Sequence, residues 1–199
     1  IRTDEGREIR RAFVAGDGNV LLDADYSQIE LRVLAHLSGD EAMCDAFLKN
    51  QDIHTRTAAE IHGVSMDEVT PEMRRAAKAT NFGIVYGISG FGLARNAGIS
   101  RPEANRFIER YFERYPGVRA FMDECVRLGY ERGYAETMFR RRRELFELGS
   151  SNRNVRSFGE RAAMNTPVQG TAADIIKLAM VQVERRLEAE GLKARLILQ

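Results

Sequence analysis

Arg74, Lys78, Phe82 and Tyr86 recur at four-residue intervals within RRAAKATNFGIVYG, residues 74–87. On a helix this interval sets two cations and two rings along one row instead of on opposite faces. Twelve residues of helix rise about 18 Å, a length suited to a ligand with an anionic end and a planar end. Arg74 and Lys78 would hold phosphate oxygens through charge-assisted hydrogen bonds, and Phe82 and Tyr86 would offer flat faces to a base. The row fits a nucleoside triphosphate lying along the helix. The plainer reading puts the rings in a core and the cations on a solvated face. It suits each residue alone, but a soluble helix normally keeps its cations and rings apart, so it suits the set less well. Gly83, in mid-helix, costs about 1 kcal/mol relative to Ala; the return on that cost would be the close approach of a backbone or a base.

A carboxylate at the end of an apolar run offers a second kind of chemistry. Asp25 closes NVLLDAD (19–25) just before a helix, where side chain and backbone can both face a cleft. Magnesium is typically held by one or two carboxylates, substrate phosphates and water, so Asp25 with the carbonyl of Tyr26 forms a plausible half-site. Asp23 shares that strand face and competes with Asp25 on pattern alone, and a capping or surface role is an equal alternative for either. His54 by itself reads as a satisfied helix histidine, and its eight-residue distance from His62 is not a metal-site spacing.

The elements that would carry these groups follow from punctuation. Residues 19–25 read as a strand, and SQIE at 27–30 as a capping box opening a helix that stops at Gly39. Residues 41–62 read as mostly helical, and SMDE at 65–68 as a second capping box. Thr70 and Pro71 start the helix with the cation and ring row, and Gly87 and Gly90 end it. Residues 101–132 continue in helical periods interrupted at Pro116 and Gly117, and residues 137–147 form an extended hairpin around Arg140, Arg141, Arg142 and Arg143. Residues 171–190 make a long amphipathic helix closed by Gly191, and ARLILQ at 194–199 begins a strand. Pro167 predicts a break before that long helix.

The chain has 199 residues and 44% hydrophobic content, enough for one substantial core or two small ones, and its composition is that of a soluble globular protein. No apolar run approaches the ~18 residues of a membrane span, and IRTDEGREIRRAF is not a signal peptide, so the expectation is a cytoplasmic protein without a membrane partner. Cys44 and Cys125 are the only cysteines, too few for a disulfide framework or a zinc cluster, and are expected to be inert. Thirty Lys and Arg offset 29 Asp and Glu to a net charge of +1, but the basic residues bunch: Arg7, Arg10 and Arg11; Arg74, Arg75 and Lys78; Arg140 to Arg143; and Arg153, Arg156 and Arg161. The arginine run reads as a phosphate-tracking patch or as a solvated turn, and neighbouring clusters of the same sign favour phosphate-backbone contact. A P-loop nucleotidase is disfavoured, because no G-x4-GK[ST] occurs and GISGFG at 87–92 reads as a turn.

DYSQIELR at 25–32 and RRAAKATNFGIVYG at 74–87 resemble, in that order, motifs A and B of family A DNA polymerases of the bacterial DNA polymerase one type. The resemblance extends through DIHT at 52–55 and NTPVQGTAAD at 165–174 and so covers almost the whole chain. It implies that Asp25, not Asp23, binds the catalytic magnesium ions together with the Tyr26 carbonyl. It implies a substrate-binding role for Gln28 and makes Glu30 the residue that blocks a ribose 2′-hydroxyl. Arg74 and Lys78 become the triphosphate-binding pair. Phe82 becomes the ring beside the incoming sugar and base, where Phe is associated with rejecting dideoxynucleotides. Tyr86 lies next to the templating base, and His54 near the outer phosphates. Arg161, Asn165 and Gln169 match a segment that contacts primer, template and the minor groove of the new pair; without the motif they read as a polar helix face. Arg140, Arg141 and Arg142 join them as DNA contacts, although the family commonly has Gly at the position of Arg140, which would carry strain if the turn needs a positive φ there.

The fold so implied is α+β, mainly helical, a partial right-hand polymerase. Residues 1–38 form a palm piece with motif A, 39–155 a fingers-like helical insertion with motif B, and 156–199 a return to the palm that stops before motif C. In the family the strand resembling residues 196–199 leads into His-Asp-Glu, whose carboxylate completes a site for two Mg2+ ions. The expectation is therefore a fragment without its second carboxylate anchor, without thumb or exonuclease segments, and inactive in isolation. The intact protein would be a monomeric, nucleoid-associated enzyme of replication and repair, acting on primer-template DNA and deoxynucleoside triphosphates. Two rivals remain: a single-subunit RNA polymerase, disfavoured by Glu30 and Phe82, and a non-catalytic nucleic-acid-binding or nucleotide-binding domain that uses the basic clusters and rings without chemistry.

Overall fold

Hydrophobic periodicity resolves into helices α1 (Ile29–Ser38), α2 (Glu41–Leu48), α3 (Ile53–His62), α4 (Pro71–Val85), α5 (Gly90–Ala97), α6 (Arg101–Arg114), α7 (Pro116–Arg132) and α8 (Arg153–Ala189). One antiparallel hairpin, β1 (Tyr134–Glu136) and β2 (Arg142–Glu144), lies between α7 and α8. The computed structural model describes Gly6 and residues 8–199, excluding the side chain of Arg10, so Arg7 and Arg10 of the first basic cluster lie outside the described residues.

Side-chain caps start most helices, the expected one at Thr70 among them. Asp40, Asp52, Thr70, Ser89, Ser100 and Asn152 each accept a backbone N–H in the first turn of the following helix. The expected capping box at Ser65 and Glu68 forms around a single 3-10 turn. The Asp52 cap divides the expected helical stretch 41–62 into α2 and α3. In α4 the buried positions Ala77, Thr80, Asn81, Ile84 and Val85 repeat at three- and four-residue intervals, which turns Arg74 and Lys78 outward. One core joins Leu31 and Leu34 of α1, Ile53 and Ile61 of α3, Ile84 and Val85 of α4, Tyr111 of α6, Val118 of α7 and Val168 of α8. A smaller cluster seats the hairpin on α8 through Ala135, Leu145, Leu148, Ala162 and Ala163.

Five expectations are corrected. Residues 19–25 and 194–199 are not strands: they carry no ladder, and Val20 and Leu22 are 88% and 91% exposed. A strand requires a neighbour to pair its backbone, and among the described residues β1 and β2 pair only with each other. The SQIE capping box does not form. Gln28 caps α1 at φ 56 without a side-chain bond, and the Glu30 carboxylate is engaged by Tyr86 instead. Residues 137–141 form the turn of the hairpin, whose strands pair Tyr134 with Glu144 and Glu136 with Arg142, so the extended segment begins before residue 137. Pro167 does not break the chain: α8 runs through it for 37 residues. The lost helix bond and ring clash cost about 3 kcal/mol, and burial of Ala162, Ala163, Val168, Thr171 and Ala172 on both sides of the proline outweighs that cost.

Among the described residues no helix is long and apolar enough to cross a membrane. Cys44 and Cys125 are free and partly buried, and burial pushes both thiols above their ordinary range, Cys125 up to about 12.

Candidate functional site

The outward face of α4 carries Arg74, Lys78 and Phe82, and Tyr86 follows one residue past the helix end. Gly87 at φ 64 turns the chain there, and the Ile88 N–H donates back to the Gly83 carbonyl at 2.8 Å. This turn explains Gly83. A Cβ at that position would lie 2.7 Å from Ile88 Cγ2, so the mid-helix glycine makes room for a side chain of its own chain, and packing gives the return that the sequence left open. A Cβ on Gly87 would meet Met164 and Arg161 of α8 at 2.8 and 2.9 Å, so the end of α4 lies directly against α8.

Helix α3 comes up beside this face and brings His54 to the cations. Arg74 Nε donates to Asp52 Oδ2 at 2.7 Å, while Asp52 Oδ1 accepts the His54 amide at 3.1 Å. The His54 ring is 2% exposed; its Nδ1 accepts from Asn81 Nδ2 at 3.0 Å, and its centroid is 5.6 Å from that of Phe82. With Nδ1 so occupied, the ring hydrogen belongs on Nε2. Burial, helped by Arg74 and Lys78 and opposed by Asp52, lowers the His54 pKa to about 4, so at neutral pH the imidazole is uncharged. Lys78 makes no ion pair among the described residues and stays available to an anion.

At the other end of the row the Tyr86 hydroxyl donates to Glu30 Oε2 at 3.1 Å, tying motif-A helix α1 to the end of α4. Burial, the Glu30 charge and the hydrogen bond to Glu30 raise the tyrosine pKa, and Gln169 of α8 hydrogen-bonds the same hydroxyl with the opposite effect. Phe82, Gly83, Tyr86, Gly87, Asn96 and Arg161 line a cleft of about 540 Å³ beside the rings, within the range of ligand pockets. Arg161 also lines a second cleft of about 250 Å³ with Arg141, Arg142, Arg143, Asn165 and Gln169. Asn165 Oδ1 is buried there without a hydrogen-bond partner. The four arginines differ in their freedom. Arg141 is held by Asp174 at 2.8 Å and by the Gly170 carbonyl at 3.0 Å. Arg142 is held by Glu136 at 2.9 Å and stacks 4.3 Å from the Tyr134 ring. Arg140 and Arg143 have no acidic partner among the described residues, and Arg140 sits at φ 63, the positive angle that favours Gly.

The structure thus brings together His54, Arg74, Lys78 and Phe82 in one group, Glu30, Tyr86 and Gln169 in a second, and Arg141, Arg142, Arg161 and Asn165 in a third. Asp25 and Tyr26 stand apart on the exposed segment before α1, and Asp25 has no hydrogen bond or ion pair among the described residues. A carboxylate without a protein partner suits a hard cation completed by phosphate and water, although among the described residues no three acidic, histidine or cysteine side chains gather as a metal site. Gln28 caps α1, and its carbonyl accepts from the Arg32 amide at 3.1 Å. Sequence reasoning missed Asp52 and Asn81, the partners of Arg74 and His54. DIHT signals Asp52 only as a helix cap, and Asn81 gives no signal until its helix face is known to be buried.

The family model for DNA polymerase family A matches residues 1–199. DNA polymerase I of Caldicellulosiruptor bescii is 55% identical over 199 residues, which is all of this chain and 23% of that protein. DNA polymerase I of Bacillus caldotenax is 58% identical over 200 residues, again 23% of its length. The chain therefore spans about a quarter of the curated relatives it matches. A solved structure of the polymerase domain of Pol1 from M. smegmatis, in complex with DNA primer-template and dNTP, superposes with a TM-score of 0.89 at 48% identity, covering all of this chain and 35% of that one.

Proposed function

The chain belongs to DNA polymerase family A, and from that membership we propose that the protein carrying these residues performs template-directed DNA synthesis from deoxynucleoside triphosphates. The observation that carries the proposal is the outward face of α4, where an unpaired Lys78 and a half-exposed Arg74 lead to Phe82 and Tyr86 at the mouth of a cleft of about 540 Å³. Residues 1–38 and 156–199 are assigned to the palm and residues 39–155 to the fingers. The protein acts as a monomer on primer-template DNA.

The primer 3′-hydroxyl attacks the α-phosphate and pyrophosphate leaves. Lys78 and Arg74 neutralise charge that grows on the phosphate oxygens in the transition state. Neutral His54 donates from Nε2 to an outer phosphate oxygen without adding charge. Phe82 packs beside the sugar and base. Glu30, steadied by Tyr86, occupies the space of a ribose 2′-hydroxyl. The Asp25 carboxylate and the Tyr26 carbonyl would hold Mg2+, which supplies charge neutralisation and acidifies the attacking hydroxyl. Asn165, which lines the smaller cleft, belongs to the segment that meets the minor groove of the new pair. Arg161, Gln169 and the arginine run track the nucleic-acid backbone.

In the intact protein Lys78→Ala is expected to remove about 3 kcal/mol of transition-state stabilisation, roughly a hundredfold in rate. Single-turnover primer extension measures it. An unchanged incorporation rate would remove the role given to the α4 face.

A further inference from the structure

The two cations of the α4 face are not equivalent. Lys78 makes no ion pair among the described residues, whereas Arg74 Nε is bonded to Asp52 Oδ2 at 2.7 Å. The carboxylate in that pair is the fixed partner. Asp52 caps α3 through the His54 amide at 3.1 Å and accepts the Thr55 hydroxyl at 2.7 Å, so it is tied down at both oxygens by its own helix start. Arg74 is the mobile partner, on a long side chain 46% exposed, and Asp52 itself is 34% exposed. His54, two residues along, is neutral, and Arg56, the cation of α3, is held by Asp45 and Glu60, so neither is paired with this carboxylate.

A carboxylate and a phosphate present the same pair of acceptor oxygens to a guanidinium. An anion approaching Arg74 meets a fixed negative charge within contact distance of the group it seeks. It must either take over the guanidinium or bind against that charge. We infer that Asp52 is a built-in stand-in for phosphate, which Arg74 leaves when a triphosphate binds, so that Asp52 sets nucleotide affinity below what the cations alone would give. The inference rests on the nucleotide reading of Arg74 and Lys78. The exchange favours ligands with enough negative charge to replace the carboxylate, so a triphosphate gains where a monophosphate does not.

The test is dATP binding to the intact protein by calorimetry, for the wild type, Arg74→Ala, Asp52→Asn and the double variant. Asn is itself a good helix cap, so Asp52→Asn removes the charge and keeps the start of α3; Asp52→Ser serves in the same way if the first variant melts early. Removing an exposed ion pair and a like-charge contact is expected to tighten dATP binding about three- to tenfold. That gain should vanish when Arg74 is absent. Equal or weaker binding by Asp52→Asn overturns the inference, and so does a gain that survives Arg74→Ala, which would mark a long-range field instead of an exchange. If Arg74→Ala binds dATP as well as the wild type, the nucleotide reading of Arg74 fails, and the stand-in role falls with it.

Discussion

His54 is the residue whose protonation couples folding to pH. Its folded pKa of about 4 lies below the value near 6.5 expected of an exposed histidine. Between those two values the unfolded chain takes up a proton that the folded chain does not, so the contribution is full above pH 6.5 and is lost as pH falls towards 4. The loss at this one site is on the order of 3 kcal/mol. Urea unfolding at pH 7.5 and pH 4.5 measures it: His54→Gln should lose less stability between the two than the wild type, and equal losses would rule out a buried neutral imidazole. Glu30 is the second residue with a defined outcome. Its carboxylate is held by Tyr86 at 3.1 Å, so Glu30→Ala removes the proposed block and leaves the Tyr86 hydroxyl without that acceptor. The variant should incorporate ribonucleotides in primer extension; failure to gain them would favour a role for Glu30 in positioning Tyr86 alone. Neither residue reveals its task by type. His54 reads as an ordinary helix histidine until Asn81 and the buried face of α4 are in place.

At the scale of the element, the end of α4 and the turn of the hairpin depend on two backbone positions. Gly83→Ala gains about 1 kcal/mol in helix propensity, but its Cβ would lie 2.7 Å from Ile88 Cγ2, on a branched side chain with little room to yield. Overpacking of that kind costs roughly 1–3 kcal/mol, so the single variant should be destabilised. Relief by Ile88→Ala should make the double variant more stable than the sum of the singles predicts, as measured by chemical denaturation; simple additivity would show that the two do not meet. Arg140 holds φ 63, an angle that favours Gly, with a side chain in place. Arg140→Val, with a branched Cβ, should cost about 1–2 kcal/mol, and Arg140→Gly should change the melting temperature little. The caps at Ser65 and Thr70 were legible because they are local, whereas the SQIE box failed because Glu30 had a better partner in Tyr86, just past the end of α4.

At the scale of the whole molecule, basic residues from the hairpin and from α8 share one cleft, and their freedom decides what each contributes to a nucleic-acid partner. A free cation releases counterions when it meets phosphate, and one already paired releases fewer. Arg140→Ala or Arg143→Ala in the intact protein should lower the salt slope of DNA binding by about 1, and Arg142→Ala by less, because Glu136 already holds that guanidinium at 2.9 Å. Equal slopes for the three variants would show that the internal pairs exchange freely with phosphate. By itself the sequence determined the start of α4 at Thr70 and Pro71, the stops at Gly39 and Gly191, the outward placement of Arg74 and Lys78, the positive-φ question at Arg140 and the family, since all of these depend on residue type at short spacing. Tertiary structure decided that Pro167 stays inside a 37-residue helix and that residues 19–25 and 194–199 carry no ladder. It also decided that Gly83 serves Ile88, that Asp52 holds Arg74 and that Asn81 orients His54. Each of these outcomes depends on a partner distant in sequence, and the strength of a proline break, an ion pair or a strand is set by what packs against it.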